Sequence, residues 1–301
     1  MDNLLFIADE VESALETNKP VVALESTVIA HGLPRPQNYE TALRLEQLVR
    51  ESGAVPATIA ILEGKLIAGL SDSQLTLIAE HKDIKKVSIR DLPIAVARNW
   101  NAATTVASTG WIAHRAGIKV FATGGIGGVH RGSLPDISGD LPALATTPIV
   151  VVCSGAKIVL DLPATREWLE TYGITVVGFQ CDEMPAFYSR RSGLPVDVRA
   201  ETAEEVANIF RAQQALGIER ALLVTAPVPE EFEIPAAELE QTLNAALRKA
   251  EQEQIAGREL TPFLLAAMAE TTDGATLKAN IALLENNARV AATIATALGG
   301  S

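Results

Sequence analysis

The chain has 301 residues, a size that fits one large domain or two small ones. Apolar residues make up 48% of it but aromatics only 4%, so its core is expected to be built from aliphatic and small side chains. A formal charge of −12 argues against a nucleic acid polymer or an anionic lipid surface as partner, although a local cationic pocket can still hold a small phosphate.

The chain opens M-D-N-L-L-F-I-A-D-E, with no basic region followed by a long apolar run, so no secretory signal is read there. No apolar stretch reaches the roughly 20 residues that a bilayer span requires, and no membrane partner is expected. A cytoplasmic location is the expectation. Strands are predicted at 21–25, 58–62, 87–89, 119–123, 149–153, 174–178 and 221–225, nearly continuous apolar runs of the kind buried on both faces. Helices are predicted at 39–51, 72–80, 104–115, 165–172 and 204–216. The alternation reads as an α/β fold with both sheet faces covered. Residues 227–235 read as a surface loop within one domain, feeding a helix at 236–253. The segments 262–271 and 277–298 are apolar and Ala-rich on more than one face, so they complete the same core or a subunit interface.

Cys153 and Cys181 are the two cysteines, and their spacing indicates neither a disulfide framework nor a thiolate zinc site. Lys157 stands out in V-V-C-S-G-A-K-I-V-L-D, where an apolar run leads straight into an isolated amine that is costly to desolvate. After the 119–123 strand comes G-G-I-G-G-V-H-R-G-S, residues 124–133. Its glycines suit either tight turning or a loop wrapped around a phosphate or sugar, with His130 and Arg131 as extra donors. Pro135 interrupts the helix that a dinucleotide fingerprint would need.

In D-I-S-G-D, Asp136 and Asp140 flank Ser138 and Gly139, a set that suits a hard divalent cation or an ordinary capped turn. Glu25 ends a buried strand in A-L-E-S-T, where it is either a general acid of raised pKa or a hydrogen-bonded residue at the core edge. His31 follows in H-G-L-P-R-P and positions that loop. Lys86 and Arg90 are expected at the two ends of the 87–89 strand, where either can meet an anion. Thr104, Thr105 and the main chain at Val106 open a hydroxyl-rich helix that can present donors to a phosphate, or simply cap and pack.

The strings A-L-E-S-T-V-I-A-H-G-L-P, K-V-S-I-R-D-L, T-T-V-A-S-T, F-A-T-G-G-I-G-G-V-H-R-G, D-I-S-G-D-L, V-V-C-S-G-A-K-I-V-L-D, D-E-M-P-A-F-Y and A-N-I-A-L-L-E-N-N-A occur in this order. Together they resemble the pseudouridine-5'-phosphate glycosidase family over nearly the whole chain. The resemblance implies reversible cleavage of pseudouridine 5'-phosphate to uracil and ribose 5-phosphate, with one Mn²⁺ per subunit. It also implies a homotrimer of single α/β/α subunits, each with a central, largely parallel or mixed sheet. By motif, the nucleophilic lysine matches Lys157, the proton-donating glutamate Glu25 and the metal-linked aspartate Asp136. Substrate contacts match Lys86, the main chain at Val106 and the turn Ser138, Gly139 and Asp140. Asn280 matches an asparagine near the sugar. Thr105 and His130 join the substrate-binding set as hydroxyl and imidazole donors beside those positions.

Pseudouridine joins ribose C1' to uracil C5 by a C–C bond, so protonating a glycosidic heteroatom cannot release the base, and a covalent lysine route answers that difficulty. Four positions depart from the family pattern. Gly139 replaces an alanine and is expected to loosen its turn, Ser154 replaces an alanine, Ile158 a serine, and Ile89 a frequent arginine. None of them removes a catalytic group. Two other readings share the same residues: a different lysine-dependent sugar-phosphate lyase or aldolase, and a sugar-phosphate-binding protein without turnover.

Overall fold

The structure is a computed structural model that describes residues 4–131, 136–255 and 260–299. After the edge strand β1 (Leu5–Ile7) and helix α1 (Asp9–Glu16), V-V-A-L-E forms β2 (Val21–Glu25) with all five side chains buried. A tight turn, Val28–Gly32, leads into α2 (Gln37–Glu51), β3 (Val55–Leu62), β4 (Lys65–Ala68) and α3 (Asp72–Glu80). Next come β5 (Lys85–Val87), α4 (Leu92–Ala97), β6 (Ala102–Thr104), α5 (Val106–Arg115), β7 (Val120–Ala122), β8 (Val129–His130) and α6 (Asp140–Leu144). The chain continues through β9 (Val150–Cys153), β10 (Leu160–Asp161), α7 (Leu162–Thr171), β11 (Thr175–Phe179), β12 (Val198–Ala200), α8 (Ala203–Ala215) and β13 (Leu222–Thr225). Three helices close it: α9 (Ala236–Gln252), α10 (Leu260–Thr271) and α11 (Ala275–Gly299).

Among the described residues, eleven strands share one sheet in the order β1-β4-β3-β2-β7-β9-β13-β11-β12, with β6 joined to β3 and β5 to β6. The pairings are parallel except β3 with β4 and with β6, so the sheet is mixed and mostly parallel, as the apolar runs predict. From β2 the chain proceeds to β3 on one side, while β7, β9 and β13 build the other. A crevice at the carboxyl ends of strands where the order divides in this way is where α/β folds bind ligands. β8 and β10 form a separate antiparallel pair above it.

The predicted strands and helices all appear, with ends moved for identifiable reasons. The strand expected at 87–89 stops at Val87, because the Ser88 N–H bonds Asp91 Oδ2 at 3.1 Å and turns Ile89–Asp91 into one 3₁₀ turn. Lys86 therefore stays in a strand, whereas Arg90 leaves it for a side chain that is 75% exposed. α5 begins at Val106 rather than 104 because Thr104 is paired in β6. α7 begins earlier than expected: Asp161 caps it through Ala164 N at 3.0 Å, and Pro163 sits in the first turn, where its missing N–H costs nothing.

One hydrophobic cluster runs from Val11 to Ala295 and takes in residues from α9, α10 and α11. Val228 and Ile234 are buried in it, so the 227–235 stretch, expected as a surface loop, is pinned at both ends. α11 lies against β2, β7 and β9 with α2 and α8 beside it, which places its Ala-rich faces in the core. No described helix is long and apolar enough to cross a membrane.

Candidate active site

A cleft of about 380 Å³ opens at the carboxyl ends of β2 and β7. Glu25, the last residue of β2, lies at its base and is only 7% exposed. The parallel register that sets Leu24 against Ala122 brings the next residues, Glu25 and Thr123, side by side, and the Thr123 hydroxyl donates to Glu25 Oε1. Burial raises the Glu25 pKa above 4.5, opposed first by the charge of Lys157, then by the Thr123 hydrogen bond and by Lys86, while Asp140 adds to the rise. A carboxyl held in this way keeps its proton to higher pH than a solvated one, which suits the role of a proton donor.

Lys157 is half-buried in the turn that follows β9, and its ammonium lines the same cleft. That turn is laced to the glycine loop: Lys157 N–H donates to Ile126 O at 3.1 Å, and Ile126 N–H to Gly155 O at 3.0 Å. Gly155 takes a φ of +78°, and a Cβ there would fall 2.0 Å from the Pro185 carbonyl oxygen, so the turn requires glycine. The apolar strand residues Val151 and Val152 lie below this turn, and Lys157 stands where the buried run meets the cleft. Cys153, just before the turn, is fully buried, and its thiol is pushed up to about 12 by that burial, which makes it inert.

The glycine loop packs closely. A Cβ on Gly127 would lie 2.2 Å from Ser138 Oγ and 2.7 Å from Asp140 Oδ2. Its N–H donates to Asp140 Oδ2 at 2.8 Å, so this amide is committed to a carboxylate within the chain. Asp140 Oδ1 accepts the Ala107 N–H at 3.0 Å, capping α5 from outside in place of Thr105, whose side chain makes no cap bond. Asp140 thus ties the glycine loop to the start of α5 and still lines the cleft. Gly139 has φ −62° and ψ −11°, a conformation open to any residue, so the extra freedom expected of it is not used. Gly132, Ser133 and Pro135 lie outside the described residues.

The structure brings Glu25, Lys86, Thr105, Val106, His130, Asp136, Ser138, Gly139, Asp140 and Lys157 to one cleft. Arg90 and Ser88 join Lys86 on its wall, although Arg90 is paired with Asp91 at 3.5 Å. Asn280 is 5% exposed and does not line the main cleft. It lines a recess of about 50 Å³ that shares Glu25, Lys86 and Lys157 with the cleft and extends to His31, Phe187, Pro262 and Leu265. Among the described residues, no group of three or more His, Cys, Asp or Glu side chains is arranged to hold a metal ion. Asp136 is exposed on the cleft, and a single carboxylate of this kind suits a cation that keeps most of its water.

Sequence reasoning assigned no role to Thr123 or to the Phe187 recess. The signal for Thr123 was a hydroxyl one residue past a strand that pairs with the strand of Glu25, and using it requires knowing that pairing.

The family model for indigoidine synthase A-like proteins matches residues 10–297. The pseudouridine-5'-phosphate glycosidase of Caldanaerobacter subterraneus is 52% identical over 99% of this chain and 98% of its own, and that of Petrotoga mobilis is 50% identical over 97% and 96%. Among solved structures, an indigoidine synthase A-like protein from Thermotoga maritima superposes with a TM-score of 0.90 at 44% identity, covering 98% of this chain and 97% of that one. The prealnumycin C-glycosynthase AlnA, solved with ribulose 5-phosphate, superposes with a TM-score of 0.91 at 41% identity, covering 99% and 98%. With a cleft built on its strand ends and likeness over its full length, the chain belongs to the indigoidine synthase A-like family, together with the pseudouridine-5'-phosphate glycosidases it resembles.

Proposed function

We propose that this protein is a pseudouridine-5'-phosphate glycosidase, which reversibly cleaves the C–C glycosidic bond of pseudouridine 5'-phosphate to uracil and D-ribose 5-phosphate. The relatives that are about half identical over the full chain carry that name, and the observation that carries the reading here is a buried carboxyl, Glu25, sharing one cleft with the amine of Lys157. The reaction is a C–C lyase chemistry that consumes one water in the cleavage direction.

In this reading Glu25, whose burial favours the protonated form, gives its proton to the ribose ring oxygen as the C1'–O bond opens. The neutral amine of Lys157 bonds to C1' and loses a proton. Protonation of uracil C5 then lets the C1'–C5 pair leave with the base, while the lysine nitrogen lone pair forms an iminium. Water adds to the iminium carbon, releasing ribose 5-phosphate and the free lysine. Lys86, Thr105 and the Val106 main chain at the start of α5 hold the phosphate, and binding energy gathered there orients C1' toward Lys157. Ser138, Gly139, Asp140, His130 and Asn280 complete the substrate contacts, Asn280 from the recess. Asp136 would hold one Mn²⁺ through water, and the bound ion supplies positive charge to substrate oxygens.

A homotrimer and a cytoplasmic setting belong to the same reading, and the homotrimer rests on the family resemblance. The test is uracil release from pseudouridine 5'-phosphate by the purified protein with Mn²⁺, and the reverse condensation of uracil with ribose 5-phosphate. A protein that binds ribose 5-phosphate without releasing uracil would instead be the sugar-phosphate binder, and turnover of another sugar phosphate without uracil would mark a different lyase.

A further inference from the structure

Asn287 lies on α11 seven residues, two turns, beyond Asn280, so both side chains leave the helix on the same side. Asn280 reaches the recess, whereas Asn287 is completely buried and touches neither cavity. Its amide nitrogen donates to the Thr123 carbonyl at 2.8 Å and to Ser154 Oγ at 3.1 Å, with the Gly124 carbonyl at 3.4 Å. Ser154 Oγ also lies 3.3 Å from Asn287 Oδ1. One side chain therefore grips the first two backbone carbonyls after β7 and the hydroxyl of the first residue after β9, at the point where the two turns diverge. Between those turns run the bonds Ser154 N–H to Gly124 O at 2.9 Å and Thr123 N–H to Val152 O at 3.0 Å.

The residues it grips are neighbours of the reacting groups. Thr123 carries the hydroxyl that donates to Glu25, and Ser154 begins the turn that ends in Lys157. We propose that Asn287 is a positioning residue that holds the acid and the amine in register, setting the Thr123 hydroxyl on Glu25 and the β9 turn beneath Lys157. It touches no substrate, and its buried amide spends its donors on two loops that helix packing alone does not join. A packing role would be filled as well by an apolar side chain in the Ala-rich stretch around it. The inference rests on the roles given above to Glu25 and Lys157.

The test pairs turnover with a titration that needs no substrate. The groups acting on the Glu25 carboxyl are Thr123, Lys157, Lys86 and Asp140; of these Asn287 bonds Thr123 directly, at its carbonyl, and meets Lys157 only through the turn that Ser154 begins. Carbon-detected NMR of labelled glutamate, assigned with Glu25→Gln, follows that carboxyl in the wild type, Asn287→Ala, Thr123→Val and the double variant. Asn287→Ala should lower kcat by about 10- to 100-fold with KM within about threefold, as expected when geometry rather than binding is lost. It should also move the Glu25 titration upward, as Thr123→Val does, and the double variant should move it no further than Thr123→Val alone. Ser154→Ala, which leaves the Thr123 contact in place, should leave the Glu25 titration where it is. Asn287→Ser, too short to reach both turns, gives the same readings should the alanine variant not fold. Unchanged kcat and an unchanged Glu25 titration, with only Tm lowered, would overturn the proposal, as would additive shifts in the double variant. If the wild type releases no uracil, the functional reading fails, and the titrations still decide whether Asn287 sets Glu25.

Discussion

Lys157 is the charged group that most strongly opposes the burial-driven rise in the pKa of Glu25. The two side chains come from turns at the ends of β2 and β9, which are separated in the sheet only by β7. A change at Lys157 should therefore be visible at Glu25.

Lys157→Met removes the nucleophile and the counter-charge together. Uracil release should fall at least about 10³-fold, the scale for loss of a covalent nucleophile. The Glu25 carboxyl should also remain protonated to higher pH than in the wild type, which NMR titration of labelled glutamate would read. A variant that keeps more than a tenth of wild-type turnover would remove Lys157 from the chemistry.

Glu25→Gln should cut turnover by about 10²- to 10⁴-fold, the range for a lost general acid. It also carries a stability signature. Glu25 has a folded pKa above 4.5, so the folded state binds its proton more tightly than the unfolded chain does. Its contribution is fully present below pH 4.5 and is lost as pH rises through the folded value. Thermal unfolding should therefore show Glu25→Gln gaining on the wild type as pH increases above that point. A difference in Tm that stays flat across the range would contradict the burial argument.

Asp140→Asn keeps the shape of a side chain whose two oxygens accept the N–H groups of Ala107 and Gly127. An amide NH₂ must then face one of those donors, leaving it unsatisfied at a cost of about 1–3 kcal/mol. Denaturant unfolding should report that loss. KM for pseudouridine 5'-phosphate should rise, because the start of α5 and the glycine loop are no longer tied together.

Gly127→Ala puts a methyl group where Ser138 Oγ stands 2.2 Å away and Asp140 Oδ2 2.7 Å away. Loop and turn must separate, at a cost of about 1–3 kcal/mol, as in overpacked sites. By contrast, Gly139→Ala, at φ −62°, should be tolerated with turnover within about threefold, since only Ser88 Oγ, 3.2 Å from the added Cβ, must yield. Similar losses in the two variants would contradict the packing described for the loop.

Lys86→Ala should weaken pseudouridine 5'-phosphate more than the nucleoside pseudouridine, because the lost charge is the one assigned to the phosphate. If phosphate binding is used to orient C1', kcat should fall along with affinity. Equal effects on both substrates would place Lys86 elsewhere in the reaction.

Much of this was legible in the chain because buried parallel strands write themselves as apolar runs. V-V-A-L-E and V-V-V-C are β2 and β9, and Glu25, which ends the first, and Lys157, four residues past the second, stand out as charges at the ends of such runs. The short strands β1, β4, β6, β8, β10 and β12 were not legible. Two to four residues cannot show a period, and their pairing is decided by neighbours distant in sequence. The glycine loop suits either tight turning or a wrap around a phosphate or sugar, and at Gly127 the fold uses close packing, with the N–H given to Asp140. Asp140, which the sequence offers as a cation or substrate contact or as part of a capped turn, also caps a helix that starts 34 residues earlier, a bond that only the fold reveals. The Asn287 clasp was equally hidden, since Thr123 and Ser154 meet on it only after α11 docks on the sheet.

The most direct test of the lysine route is borohydride reduction of the protein with ribose 5-phosphate, followed by intact-mass analysis and peptide mapping. A single ribose phosphate adduct on the peptide that carries Lys157, absent from Lys157→Met, is the predicted result. An adduct on another lysine, or none in a preparation that turns over pseudouridine 5'-phosphate, would contradict it.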